Sequence, residues 1–599
     1  MSLAKRLSLL GSSKVLAVAI VAGVLAASCA PAVAPAPAPS APQPSAPAPA
    51  ATPTRAPTAP AAPAPTAAPA AAPTRAPGAT PAPATAPAKR GGTLHLISST
   101  DAPHWDPQRE TGINAYWIYL SEFLVDFNDD GTARPQLAER WEFPNDKTLV
   151  LHLRKGVKFH NKPPANGREF TAQDVVWNLE RIRRPGASYI WKSNLTEVDK
   201  IEAVDKYTVK ITTKSVFAPI LFYLRGNYTS GMTMLNKEME DQKGEDAYKE
   251  LTNAIGVGPF MVDKWAPGVS GHAVRNPDYY RPGLPYMDAV DYTNVPDGAT
   301  VIAAFRTGKA DFAMNSSAFY SLPQRQQIER GGAPVSFTPR SDPYPLTLSP
   351  NVNKEPFTDI RIRKAMFLAA DREEYLKINL GGGGHITGPI SWRVFPGWTW
   401  SQADLMKREG YRPKNTPEGQ ADIAEAQRLM KEAGYGPDKP LKVTAEGCQC
   451  FTFINLTNME VAKSQFQKIY MDITIKMVDQ AQFYEQDNNS TFLFRARATS
   501  APDEPDGQLY TRHHRTGGRN YQRLSDPALD KLLEQQRQEL DVNKRKQLVM
   551  QAQERLWSLY PQVWLNVREA YIPQQKWVKG LTPNQYRVWD DPASTWIDK

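Results

Sequence analysis

The sequence predicts an α/β protein of at least two domains. Two observations carry this expectation. Short alternating strands and amphipathic helices are mixed throughout. The folded part, about residues 90 to 599, is also longer than one hydrophobic core organises. No period of about 20 to 50 residues recurs, which excludes a solenoid. Gly91-Gly92-Thr93 opens the folded part, and Leu94 to Ile97 alternates as a strand. A helical stretch is expected over Tyr116 to Phe127, then a turn and an alternating strand at Thr148 to Leu153. Thr171 begins the clearest helix: a capping residue is followed by Val175, Val176, Leu179 and Ile182 at helical spacing. Further strands are expected at Val198 to Ala203 and Thr208 to Thr212. Further helices are expected at Asp359 to Ala370, Ile423 to Ala433, Val461 to Tyr470 and Asp526 to Leu540.

The N-terminus carries Lys5, Arg6 and Lys14 ahead of an apolar run of 13 residues, Val15 to Ala27. A membrane span needs about 20 such residues, so residues 1–28 read as a cleavable export signal. The run ends in Ala26-Ala27-Ser28-Cys29. Small residues directly before a cysteine are similar to the lipobox of bacterial lipoproteins, where cleavage leaves the cysteine lipid-modified. Cys29 is therefore the expected lipidation site, although Ala26 stands where a lipobox has leucine and Leu25 lies one place earlier. Ordinary secretion is the plainer alternative. Residues 29–89 are almost entirely Ala, Pro, Thr and Ser. They have no large apolar groups to offset the entropy of ordering, and their prolines favour extended conformations, so a semi-stiff disordered tether is expected.

Three cysteines are too few for a disulfide scaffold, and with Cys29 lipidated only Cys448 and Cys450 remain, as free thiols or a local pair. The formal charge of +9 is spread along the chain without an aromatic-interleaved basic stripe, so no nucleic-acid partner is expected. The 14 Trp, 23 Tyr and 21 Phe exceed what packing alone usually needs and leave rings for a ligand. Enzyme templates are missing: there is no His-Glu-x-x-His, Gly-x-Ser-x-Gly or P-loop.

Between Leu120 and Ile182 the chain reads SEFLVDF, GTARPQLAERWEF, LVLHLRKGVKFHN and FTAQDVVWNLERI. GVGPF follows at 256–260, RNPDYY at 275–280, AAFRTGKADF at 303–312 and NVNKEPFTDIRIRKAMFLAADREE at 351–374. EAQRLMKEAGY stands at 425–435 and LSDPALDKLLEQQR at 524–537. In this order and spacing the motifs resemble family 5 of the extracellular solute-binding proteins of ABC transporters, the dipeptide-, oligopeptide- and nickel-binding group. Each motif alone is weak, and most of their residues are expected to be scaffold: Gly156 and Gly258 in turns, Trp141 and Phe159 in packing.

The resemblance implies a two-lobed periplasmic-binding-protein-like fold (type II, cluster C-like) with a hinge between lobes. Lobe I would take residues 90–340, with an extra subdomain, and return with 568–599; lobe II would take 341–567. It implies a monomer that needs no cofactor and catalyses nothing. That monomer captures a small solute (peptide-like, oligosaccharide or other organic solute) outside the cytoplasmic membrane and delivers it to a permease. Peptide-binding relatives keep an aspartate shortly before an Asp-Pro pair, where it meets the peptide's α-amino group. Anchoring on Glu504-Pro505 puts Ala501 at that place, unless Asp503 substitutes. An unpaired buried ammonium is costly, so peptide specificity is in question here.

The candidate ligand-binding residues are Tyr116, Trp117, Arg340, Tyr344, Trp398, Trp400, Arg497 and Asp503. Tyr116-Trp117 falls where relatives line the cleft from the first lobe. Trp398 and Trp400 lie in GPISWRVFPGWTW, a loop that family members direct towards it. Arg340, with Arg495 and Arg497, would favour a carboxylate or phosphate, because a guanidinium matches such groups bidentately. Core packing of the rings and solvent exposure of the arginines are the plainer readings. A metal site is the weaker reading of His513-His514 beside Asp503, Glu504 and Asp506. Asp126 to Gly131 resembles half an EF-hand loop, but Leu137 stands at the position of the bidentate glutamate. Rival functions are metal-chelate uptake, a secreted hydrolase on the same scaffold, and an envelope scaffold.

Overall fold

The computed structural model describes residues 88–98, 105–109, 114–128, 131–185, 189–225, 231–295, 297–313, 321–342, 345–449, 452–498, 504–581 and 591–599. The chain divides into two units, residues 1–83 and 84–599, and only the second contains described residues. The export signal, Cys29 and nearly all of the tether lie outside the described residues, as do Tyr344, Ala501 and Asp503.

Two large sheets organise the second unit. The first contains, in spatial order, Val335–Ser341, Asn566–Gln575, Phe312–Ala313, Thr93–Ser98, Ala289–Asn294, Ser270–Arg275 and Phe260–Ala266. Thr93–Ser98 is parallel to Ala289–Asn294 and to Phe312–Ala313, and its alternation buries Leu94 and Leu96. The second sheet runs Met471–Val478, Leu441–Cys448, Phe494–Ala498, Leu346–Pro350 and Val563–Trp564. A smaller antiparallel sheet joins Ala138–Asn145, Thr148–Leu153, Thr208–Thr213 and Val198–Asp205. The predicted helix over it is Ala172–Ile182, closed by a capping box between Thr171 and Asp174.

Each large sheet has its own hydrophobic core. One gathers residues from Leu94 to Phe312 and, from the chain's end, Ile572 and Trp596. The other draws only on residues between Leu346 and Leu565. The chain passes between the sheets twice, from Val335–Ser341 into Leu346–Pro350 and from Val563–Trp564 into Asn566–Gln575. At both passages the strands are paired antiparallel, with Ser341 opposite Glu569 and Leu348 opposite Val563.

Three expectations change. The stretch Tyr116 to Phe127 is a short helix, Asn114–Leu120, followed by the strand Val125–Phe127. The helix stops because its end is claimed by other backbone: the Leu120 carbonyl accepts the Gly258 N–H at 3.0 Å. Gly258 is thus not a turn residue but a close-approach residue, since a Cβ there would stand 2.4 Å from the Leu120 carbonyl carbon. Gly156, with φ of +77° and open space around it, does serve a turn. The helices predicted near 423 and 461 start earlier than expected, as Pro417–Glu432 and Thr452–Gln467.

Candidate functional site

The passage between the sheets is the natural place for a site, because it is where two cores face each other. Arg340 lies on the first crossing strand, buried, opposite Ala570. Arg568, on the returning strand, pairs with Asp342 at 2.9 Å, so the two crossings are tied by charge as well as by backbone. The same strand is flanked by Gly384–Ile386, which pairs with residues 566 to 568.

A second contact joins the two halves away from these strands. The Tyr223 hydroxyl donates to the Asp506 carboxylate at 3.1 Å. The Ala218 N–H donates to the Arg537 carbonyl at 2.8 Å, and the Arg537 guanidinium stands 3.5 Å from Glu197 and 3.0 Å from Asp506. Asp506 is completely buried and also accepts from Gln536 at 2.5 Å. It stands in the first turn of helix Pro505–His513, whose preceding residue Glu504 accepts from the Asp506 N–H and pairs with Arg545. In the sequence Asp506 stands out only as a carboxylate near His513-His514, and nothing singles out Tyr223. The helix-start chemistry of Glu504-Pro505-Asp506 was the one available signal.

Each large sheet buries arginines. In the second sheet Phe494 and Ala496 face the core, while Arg495 and Arg497 point to the other face. Arg495 is fully buried, 2.6 Å from Asp487 and 3.0 Å from Glu446. Arg497 pairs with the same Asp487 and lies 4.1 Å above the Tyr521 ring. Burial pushes the Asp487 carboxyl up and both guanidiniums down, and their mutual attraction opposes each shift. Neither arginine faces solvent.

The predicted aromatic residues are engaged in packing. Trp117 is wholly buried, and its indole N–H donates to the Trp105 carbonyl at 2.9 Å. Tyr116 sits in a ring cluster with Trp105, Tyr119 and Tyr292, and burial pushes its hydroxyl pKa up. Trp398 is capped by Arg545 and Lys546 from helix Val542–Leu559, and Trp400 meets Trp557 of that helix edge-on at 5.6 Å. Tyr116 and Trp117 therefore lie in the first core and the two tryptophans against the second. Arg545 links Trp398 to Glu504, at the start of helix Pro505–His513.

The His513-His514 pair divides. His514 stacks on Tyr510 and bonds Glu534 at 3.1 Å, whereas His513 points elsewhere. Among the described residues, no three His, Cys, Asp or Glu side chains are grouped as a metal site. Asp126 belongs to a strand and pairs with Arg134 at 3.1 Å. Cys448 is disulfide-bonded. Among the described residues no helix is long and apolar enough to cross a membrane.

Residues 132–520 match the family described as bacterial extracellular solute-binding proteins, family 5, middle region. A dipeptide-binding protein of Pseudomonas aeruginosa is 25% identical over 499 residues, 79% of this chain and 88% of the relative. The periplasmic binding protein DppA of Helicobacter pylori, solved with the peptide STSA, superposes with a TM-score of 0.68 at 23% identity. That match covers 85% of this chain and 99% of the other. The binding protein AgaA of A. tumefaciens R10, solved with agropinic acid, superposes with a TM-score of 0.66 at 22% identity, covering 85% and 99%. The chain belongs to family 5 of the bacterial extracellular solute-binding proteins, and its fold is the two-lobed α/β fold of periplasmic binding proteins.

Proposed function

We propose that this protein is the extracytoplasmic binding subunit of an ABC importer, anchored by lipid on Cys29 and carried on the Pro/Ala tether. It closes two lobes over a small peptide-like or other organic solute and presents it to the permease. Lobe I takes residues 90–340 and 568–599, and lobe II takes 341–567. The observation that carries the reading is the pair of crossing strands between two separate cores, joined elsewhere by Tyr223 and Asp506. A few crossing residues permit a hinge, and a contact that only the closed form makes lets a ligand bias the equilibrium. The dipeptide-binding relatives support a peptide as first candidate. Arg340 and Arg497, with Tyr344 and Asp503 outside the described residues, remain the proposed ligand contacts.

Ala501 favours a second reading, a solute without a free α-amino group. A charge-assisted hydrogen bond contributes about 1.5–3 kcal/mol, so its loss weakens free peptides about ten- to a hundredfold. Calorimetry of the full chain with di- and tripeptides, free and N-acetylated, separates the two. Submicromolar binding that requires the free N-terminus refutes the second reading and assigns the ammonium to Asp503. The anchor is tested by Cys29→Ala, which should move the protein out of the membrane fraction; unchanged mass and location refute it.

A further inference from the structure

A cavity of about 340 Å³, its open mouth included, lies on the polar face of the second sheet. Thr347 and Ser349 line it from strand Leu346–Pro350, two residues apart and so on one face. Arg497 lines it from the neighbouring strand, Arg512 and His513 from the end of helix Pro505–His513, and Arg519 from the loop that follows. No Asp or Glu is among the described lining residues. A wall with three guanidiniums, the hydroxyls of Thr347, Ser349 and Tyr521 and, among the described residues, no carboxylate has the composition of an anion site.

His513 supplies the independent observation. It is 1% exposed, and neither of its ring nitrogens has a hydrogen-bond partner. Buried polar groups are ordinarily satisfied, so an orphaned imidazole in a cavity wall points to a group that is to arrive there. Burial, with the charge of Arg512, holds its pKa down to about 3. The ring is therefore neutral near pH 7 and keeps one N–H to donate. Its neighbour His514 has both a stacking and a hydrogen-bonding partner, which shows that the local backbone does not force orphaning.

We propose that this cavity is an oxyanion subsite, in which Arg497, Arg512 and Arg519 supply charge and the His513 N–H donates to a carboxylate or phosphate oxygen. The oxyanion is either the carboxylate of the captured solute or a free phosphate-like anion. Pro345, where the chain enters the second sheet, also lines the cavity, which places it beside the interlobe passage. Only the solute source rests on the importer reading.

The test is calorimetry of the full chain with inorganic phosphate at constant ionic strength. Saturable binding is expected, weakened about ten- to a hundredfold in His513→Leu, the range for a lost hydrogen bond to a charged group. Without phosphate, His513→Leu should melt at or above the parent temperature, because an unpartnered polar group is replaced by an apolar one; a purely structural histidine would give the opposite. Absence of saturable phosphate binding, or unchanged affinity in His513→Leu, overturns the proposal. The source is read by repeating the titration with acetyl-Ala-Ala and with its C-terminal amide. Competition by the acid alone assigns the solute carboxylate, and competition by neither assigns a free anion. Failure of both peptides to bind counts against the peptide reading and leaves the phosphate result standing.

Discussion

Arg181 in the first core and Arg497 in the second sheet are both buried arginines beside a carboxylate, yet they are arranged differently. Arg181 is fully enclosed. Asp106 at 2.6 Å, Glu240 at 2.5 Å and Gln108 at 2.9 Å accept from it, and Tyr248 lies beneath its face. Arg497 pairs with Asp487 on one side and borders a cavity on the other. A charge surrounded on every side is a structural element, whose partners fix helix Ala172–Ile182 to its neighbours. A charge with an open side can exchange an internal partner for an external one. The chemistry is the same, and the packing around it decides the role.

The comparison breaks if the two respond alike. Asp106→Ala and Asp487→Ala should each destabilise by about 3–5 kcal/mol in denaturant unfolding, since each leaves a buried guanidinium short of a partner. Added phosphate should recover part of the loss in Asp487→Ala and none in Asp106→Ala; equal recovery in both would erase the distinction. The next effect is a pH dependence in the first core. Burial pushes Glu122 up to about 7 from 4.5, so the folded chain holds a proton that the unfolded chain has lost. The associated stability is present below pH 4.5 and is lost as pH rises towards 7, on the order of 3 kcal/mol. Glu122→Gln should flatten that limb of a stability–pH curve. His160 acts on the opposite side: burial holds it down to about 3 from 6.5, so stability falls as pH drops through that interval. A smaller effect is expected at the seam, where Tyr223→Phe removes one hydrogen bond worth about 1 kcal/mol. Solute affinity should fall several-fold while the melting temperature of the free protein moves little. The smallest effect is none: a chain beginning at Lys89 should melt with the full-length protein, and a shift of several degrees would show the tether docked on the folded part.

Strand periodicity made much of the fold legible. Thr148–Leu153 alternates cleanly because Leu149, Leu151 and Leu153 all turn into the first core, and it forms with the predicted limits. The Tyr116 to Phe127 stretch misled because the contact that ends its helix comes from Gly258, far along the chain. The site was less legible for the same reason. Tyr223 and Asp506 stand 283 residues apart, and no local pattern links them. Ring residues carried an ambiguous signal, since an aromatic side chain suits a core as well as a ligand face; Trp117 and Trp400 both proved to be packed. Arg497 carried a clearer structural signal, because a charge in an alternating buried strand must meet a partner, and it meets Asp487.

The crossing strands have a mechanical consequence. Asn566–Gln575 is laced to the first sheet as far as Glu569 and to Gly384–Ile386 up to Arg568. Flexure is thereby confined to a few dihedrals near Ser341 and Arg568, and sliding of one sheet past the other is blocked by the ladder on either side. The joint behaves as a pivot with few degrees of freedom. The Tyr223–Asp506 contact belongs to neither crossing strand and is held by a single side-chain hydrogen bond between the two residues. Substitutions at the pivot should alter how fast the molecule opens, and substitutions at the distant contact should alter how often it is found shut.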